Sequence, residues 1–454
     1  MSVELNDLVA RVVGWAGGTE EIEAYAAHSR DTDVEVFQGD IETLSSAETT
    51  GIGIRVVLPG ADGARQGFAY TGTLDEASLR ACLADARDNA TFGTPDPFLG
   101  LASPDGVVPA QLDLFRADLA AFPTEAKVRL AMELERETRA KDARIRSLRS
   151  ASYGDGTIEM AIASTAGVQC SYRRTACSLV AYAIAGETDD TQTGFGYSVG
   201  RTASELSVEA AAAMAAERAT RLLGAKKPVS CRVAVVFDPT VTATLLSILG
   251  GTLNGESVLK GRSLFADRVG DSVAVAGVSL ADDGTNPLAY GAAPFDAEGL
   301  AVRRVSLIEN GVLRQFVHNT VSARRAGGGA GSTGSAVRGG FKGTPSVGCR
   351  ALALQPGSLS QEEILRQIGN GVLVQSVSGV HSGVNPISGD FSVGAEGLRI
   401  TDGQLGEPIR EFTIASTIQR MLLDVLAIGA DVEWLPGGAA GLTLAVDGLS
   451  LSGA

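Results

Sequence analysis

The sequence predicts an α+β protein of two domains: an N-terminal α/β domain with antiparallel sheets over residues 1–224, and a C-terminal β-rich domain with a few helices over 225–454. Three observations lead there. Apolar and polar residues alternate in long runs in both halves, the pattern of half-buried strands. Segments with helical spacing are concentrated before residue 224 and sparse after it. Between the halves, Gly224-Ala225-Lys226-Lys227-Pro228 ends an alanine-dense helix with a glycine, two basic residues and a proline that cannot continue it. Composition adds a constraint on packing. Aromatics make up only 5% of the chain while glycine reaches 56 residues, so the cores are built from small and aliphatic side chains with backbones in close approach.

Taken in order, the apolar residues of 3–15 fall at helical spacing, and a meander of strands follows through DVEVFQGDIETL, GIGIRVVL and RQGFAYTG. Gly39-Asp40 marks one hairpin and the Pro59 to Gly63 loop a second. Residues 74–89 read as a helix with Thr73 as N-cap and Asp75 and Glu76 in its first turn. A longer helix is expected over 124–142, with Val128, Leu130, Met132 and Leu134 on its buried side. SYGDGTIEMAIAST, GVQCSYRRTACSLVAYAIAGE and TQTGFGYSVGR extend an antiparallel sheet, and 205–223 form the alanine-dense helix. The second half opens with the strand CRVAVVFDP and a helix over 241–253. It continues with SVAVAGVSLADDG, GLAVRRVSLIENGVL, GVLVQSVSG, GLRITDGQLGEPIREFTI and GLTLAVDGLSLSG as strands. Asn310-Gly311 is its strongest turn signal, and helices are expected over 360–370 and 414–427.

Charge and motif content narrow the function. Lys and Arg number 38 against 53 Asp and Glu, a net charge of −15, which disfavours duplex nucleic acid because phosphate neutralisation needs a basic face. Five widely spaced cysteines without a Cys-x-x-Cys pair suggest reduced thiols, and a cytoplasmic location is expected; no signal segment or membrane span is read. His28, His318 and His381 lie far apart, so none has a second imidazole one helical turn away, and each reads first as a surface or packing residue. There is no Gly-x-Ser-x-Gly elbow, and the glycine run at 327–331 lacks the Lys-Ser/Thr ending of a phosphate loop.

Two segments stand out. Between Gly311 and Gln361 there is no acidic residue, while Arg314, Arg324, Arg325, Arg338, Lys342 and Arg350 are present. Much of this cationic island lies on AGGGAGSTGSAVRGGFKGTP, read as a mobile or ligand-ordered loop able to hold peptide carboxylates, or as an ordinary solvated loop. Residues 379–397, GVHSGVNPISGDFSVGAEG, read as an exposed small-residue strand that an extended peptide could pair with, or as a plain bulged strand. His381, Asn385, Gly389, Asp390 and Phe391 are its peptide-binding candidates beside Arg338 and Lys342.

In their order and spacing, VVFDPTVTATLLSILGGTLNGESVLKGRSLF, PFDAEGLAVRRVSLIENGVL, SGDFSVGAEGLRITDGQLGEPIREFTIAS and IGADVEW, with VEVFQGDIETLSSAETTGIGIRVV upstream, resemble the TldD/TldE (PmbA) family over nearly the whole chain. The resemblance implies the family's C-terminal domain type after residue 225. TldD-like members carry a helical His-Glu-x-x-x-His motif and a late cysteine as zinc ligands. Here Ser247, Ile248 and Thr252 stand at the motif positions, and Ala440 or a neighbour stands for the cysteine. The chain therefore resembles the TldE/PmbA-type subunit. That implies no catalytic residue, metal or cofactor of its own, and a zinc-bearing TldD-like metallopeptidase as heterodimer partner, with a homodimer possible in isolation. Extended peptides, including leader peptides, would be the substrates. Two rivals remain open: a stand-alone hydrolase using, for instance, His381 with Asp390, and a non-enzymatic peptide-binding or biosynthetic scaffold.

Overall fold

The structure, a computed structural model, describes residues 4–187, 190–329 and 331–454; Val3 of the expected first helix and Ala330 of the expected loop lie outside them. It is an α+β fold. The N-terminal half runs α1 (Leu5–Val13), β1 (Glu21–Phe37), β2 (Asp40–Leu58), β3 (Arg65–Thr71), α2 (Glu76–Thr91), α3 (Ala117–Ala120), α4 (Thr124–Lys141), β4 (Ile145–Ser164), β5 (Gln169–Ala185), β6 (Gln192–Gly200) and α5 (Val208–Thr220). Its strands form one antiparallel sheet in the order β3-β2-β1-β4-β5-β6. The period of two sorts side chains between its faces. Ile22, Ala24, Ala26, Ile52 and Ile54 pack under α1 and α2, and farther along the same face Val34, Val36, Tyr153 and Leu179 pack under α4 and α5. On the other face Tyr25, Ala27, Met160 and Ile162 meet Leu300 and Phe341 of the C-terminal half.

Local chemistry explains the details. The first hairpin turns at Gln38 and Gly39, both with positive φ (55° and 82°), as a two-residue turn between right-twisted strands requires. The Glu135 carboxylate on α4 accepts both turn amides, from Gln38 at 2.8 Å and Gly39 at 2.7 Å. The buried stripe of α4 is accordingly Lys127, Ala131, Leu134, Glu135 and Thr138, whereas Val128, Leu130 and Met132 are only partly buried. Lys127 can be buried because its ammonium meets Asp155 at 2.6 Å and Thr32 at 2.9 Å. The N-cap of α2 is Asp75, whose carboxylate accepts from the Ser78 amide; Thr73 lies outside the helix.

Where helix meets strand, glycine lets the backbones touch. A Cβ at Gly67 would strike Ala86 and Ala90 of α2, and Cβ atoms at Gly194 and Gly196 of β6 would strike Ala211, Ala215 and Ala219 of α5. The glycine and alanine excess of the sequence is used at these contacts.

The C-terminal half contains β7 (Cys231–Phe237), α6 (Pro239–Thr252), α7 (Gly255–Leu259), β8 (Leu280–Asp283), β9 (Arg304–Glu309), β10 (Val312–Leu313), α8 (Thr320–Ala326), β11 (Ala336–Val337), β12 (Ser346–Val347), β13 (Leu352–Leu354) and α9 (Gln361–Ile368). It ends with β14 (Gly371–Ser378), α10 (Val380–Gly383), β15 (Asp390–Thr401), β16 (Gln404–Thr417), α11 (Ile418–Leu423), β17 (Val425–Ile428), β18 (Glu433–Trp434), β19 (Ala440–Gly441) and β20 (Leu444–Ser452). The main sheet has the order β16-β15-β14-β7-β20-β17, and β16 also pairs with β20, closing five strands into a ring. A second sheet has the order β10-β9-β8-β13.

Three further expectations are corrected. The expected helix over 414–427 is the end of β16, the short α11 and β17; Thr413, Ile414 and Thr417 are β-branched, and Thr417 caps α11 by accepting from the Arg420 amide. The expected strand at SVAVAGVSLADDG is reduced to Leu280–Asp283. The basic Gly/Ser-rich stretch is a structured connection: Ala336–Val337 pair with Ser346–Val347, and Gly340–Lys342 form a 3₁₀ turn between them. No helix among the described residues is long and apolar enough to cross a membrane.

Candidate functional site

The helix at the expected zinc position is α6. Asp238 caps it by accepting from the Thr240 amide, Pro239 sits in its first turn, and Val241, Leu245, Leu246 and Leu249 enter the C-terminal core. Ser247 is exposed, and its hydroxyl donates to the Ala243 carbonyl at 2.9 Å. Thr252 is fully buried, donating to the Leu249 carbonyl at 2.8 Å. Ser247 thus faces solvent and Thr252 the interior, and each hydroxyl is engaged by a carbonyl of its own helix. Ile248 packs against the core, and Ala440 is a buried methyl on β19. Among the described residues no three His, Cys, Asp or Glu side chains gather as a metal-binding group. The donors at this position do not fit a zinc ion.

A second place has the character of a site. The C-terminal half meets the free face of the N-terminal sheet around a cleft of about 560 Å³. From the sheet come Tyr25, Met160, Tyr172 and Arg174; from the other half come Asp296, the 337–342 turn, Arg350, and the backbone of Gly437 and Gly438. The turn is seated by Phe341, whose ring lies over Gly51 and whose carbonyl lies over Gly53, where any Cβ would collide. The GIGI alternation in β2 thus puts isoleucines under the helices and glycines under this turn.

Buried charge organises one wall. Arg338 donates to Glu23 at 2.6 Å and to the Ala297 carbonyl at 2.7 Å, and its guanidinium lies 4.4 Å from the Tyr25 ring centroid. Glu23 also accepts from Arg55. Burial alone would raise the Glu23 carboxyl, but the two guanidiniums outweigh it and hold its pKa below the usual carboxylate range. Asp296 accepts from the amides of Glu298 at 2.9 Å, Leu300 at 3.0 Å and Ala336 at 3.1 Å. Burial, reinforced by Glu298, nevertheless pushes its carboxyl up to about 6. Burial likewise lifts the Tyr25 phenol to about 12.

The cationic island resolves into unlike parts. Arg314 pairs with Glu309, Arg325 with Asp96 and Arg338 with Glu23, while Arg324 donates to the Leu101 carbonyl. Lys342 and Arg350 form no ion pair among the described residues, although Arg350 stands in the field of Asp282 and Asp296, and both line the cleft. Lys342 is exposed with its ammonium 5.7 Å from the Phe341 ring centroid, and Arg350 donates to the Ala336 carbonyl at 2.6 Å. Arg174, not singled out in the sequence, joins them from β5; the alternation of SYRRT, which puts Tyr172 and Arg174 on one face, is the signal that could have found it.

The 379–397 segment is not an exposed strand. His381 lies on the surface of α10, Asn385 accepts the Ile387 and Ser388 amides in a turn, and Gly389 closes that turn onto the Asn385 carbonyl. Asp390 pairs with Thr417, and Phe391 is buried in the core. One edge of β15 is held by β16 and the other by Val384 and β14, leaving no edge for an incoming strand. His381 and Asp390 form no ion pair; the Asp390 carboxylate accepts from Ser388 at 2.7 Å. These residues lie apart from the cleft lining, which includes Arg338 and Lys342.

Comparison with known proteins places the whole chain. Residues 22–90, 117–223 and 230–453 match three successive family models: PmbA/TldA metallopeptidase domain 1, the central domain and the C-terminal domain. "Metalloprotease PmbA" of Escherichia coli O157:H7 is 27% identical over 434 residues, covering 94% of this chain and 92% of that one. The Haemophilus influenzae "Metalloprotease PmbA homolog" is 27% identical, covering 87% and 84%. The crystal structure of a proposed modulator of DNA gyrase from Thermotoga maritima superposes with a TM-score of 0.89 at 25% identity, over 98% of this chain and 99% of that one. TldE from Thermococcus kodakarensis gives a TM-score of 0.88 over 98% and 99%, and at 22% identity that likeness is one of fold.

Proposed function

Because the chain belongs to the PmbA/TldD metallopeptidase family, we propose that it is the subunit without catalytic metal in a two-subunit peptidase, contributing a peptide-holding cavity and a dimer surface. The partner is a TldD-like chain with His-Glu-x-x-x-His intact, which supplies zinc, the water-activating glutamate and bond cleavage. Unfolded or leader peptides are the substrates, and the setting is cytoplasmic. The observation that carries this reading is on α6. Two hydroxyls bonded to their own helix and an isoleucine occupy the motif positions, where neither an imidazole ligand nor a carboxylate general base is present.

The test is size-exclusion co-elution of this chain with a family member bearing the intact motif, followed by peptide hydrolysis across the eluted peak. The expected result is one heteromeric peak that hydrolyses unfolded peptides. Separate elution of the two chains at micromolar concentration would count against the pairing.

A further inference from the structure

The cleft between the halves gathers positive charge in a chain of net charge −15. Arg174 and Lys342 reach it without an ion pair among the described residues, Arg350 shares its charge with the nearby Asp282 and Asp296 carboxylates, and the fourth cation, Arg338, is neutralised by Glu23. The one acidic side chain in the lining, Asp296, already accepts three backbone amides. The floor between the cations is aromatic and apolar, with Tyr25, Tyr172 and Met160, and part of the rim is bare glycine backbone at Gly437 and Gly438. Apolar walls with a few unpaired charges of one sign make a pocket suited to an anionic group on a chain with hydrophobic character. A guanidinium presents a planar fork to a carboxylate and an ammonium a mobile point charge, and both are donors suited to a carboxylate.

We propose that this cleft binds a carboxylate of an extended peptide, with Arg174 and Lys342 as its ligands and Arg350 adding to the local positive potential. The idea deepens the peptide-cavity reading and rests on it. The surroundings also give a direction. Beyond Arg174 the sheet face continues as a hollow bearing Asp31 and Asp33 over Gly154 and Gly156. Potential therefore changes sign along the groove, and a peptide would lie with its carboxylate toward Lys342 and its amino-terminal side toward the aspartates.

The chemistry is shared by a C-terminal carboxylate and an acidic side chain, and the experiment separates them. Fluorescence anisotropy with the full chain alone would use three fluorescein-labelled eight-residue Ala/Ser peptides: one with a free C-terminus, one amidated, and one amidated with a single internal Glu. Binding of the free acid about tenfold or more tighter than the amide, with the Glu peptide matching the amide, identifies the terminus; tight binding of the Glu peptide identifies a side chain. In either case Lys342→Gln and Arg174→Gln should each weaken the acidic probe about tenfold, leave the neutral amide unchanged, and flatten the salt dependence. Lys342 is exposed, so its variant should keep the parent melting temperature, and Arg174→Lys should retain part of the affinity. Equal binding of all three peptides, no binding up to millimolar protein, or indifference to both neutralising variants would overturn the proposal. Because the assay needs no partner chain, failure to pair with a metallopeptidase and failure to bind carboxylate are read separately.

Discussion

At the residue scale, buried charges are the most exposed to test. Glu23 joins Arg55 and Arg338, three side chains almost wholly removed from solvent. Its replacement by glutamine leaves Arg338 without its ion-pair partner and Arg55 with only the fields of Glu298 and Glu21, and a loss of about 3 kcal/mol is expected in urea unfolding. Since the folded Glu23 carboxyl lies below its ordinary range, its stabilisation is present above that range and lost as pH falls through the folded value. Asp296 has the opposite sign. With an ordinary value near 3.8 and a folded value of about 6, it stabilises the fold most below pH 3.8 and loses that contribution as pH rises through about 6. The loss amounts to about 3 kcal/mol. Asp296→Asn should therefore flatten the fall in urea midpoint between pH 4 and 6.5; an unchanged slope would contradict the assignment. None of these partnerships was legible in the sequence. Glu23 and Arg338 are far apart in the chain, and an acid-free stretch says nothing about acids folded against it from elsewhere. Lys342 was legible because it forms no ion pair among the described residues, whereas Arg338 stood out for a charge that the fold neutralises.

At the element scale, the strand-glycine to helix-alanine contacts carry the N-terminal half. A side chain at Gly196 meets the backbone of α5 at Ala211 and Ala215, which cannot swing aside as a flexible side chain could. Gly196→Val should cost about 3 kcal/mol or more, measurable as a lowered urea midpoint. Gly53→Ala meets the Phe341 carbonyl and should loosen the 337–342 turn, seen as faster amide exchange at Phe341 and Lys342 with little change across α1 and α2. Elements with strong local signals were readable: the hairpin read at Gly39-Asp40, which turns one residue earlier at Gln38 and Gly39, the Asn310-Gly311 hairpin with φ of 47° and 81°, and α4 at Thr124–Lys141. The 414–427 segment was not, because a strand end, six helical residues and a second strand together imitate one apolar helical period. The stripe of α4 was misread because hydrophobicity cannot announce that Lys127 and Glu135 will be buried with partners.

At the scale of the whole molecule, the order of segments made family membership legible, since it needs no knowledge of side-chain contacts. The cleft was invisible because it exists only where two distant parts of the chain face each other. Sequence does record the chemical poverty of α6, and the fold adds that Ser247 and Thr252 spend their hydroxyls on carbonyls of their own helix. The central claim, that this chain holds peptide while another chain cleaves it, is tested most directly by peptidase turnover in the presence of zinc. The purified chain would be assayed alone and then mixed with a family member carrying His-Glu-x-x-x-His. Turnover confined to the mixture, and abolished when the partner's motif glutamate is replaced, is the expected result; peptide cleavage by this chain alone, with zinc held by its own side chains, would contradict it.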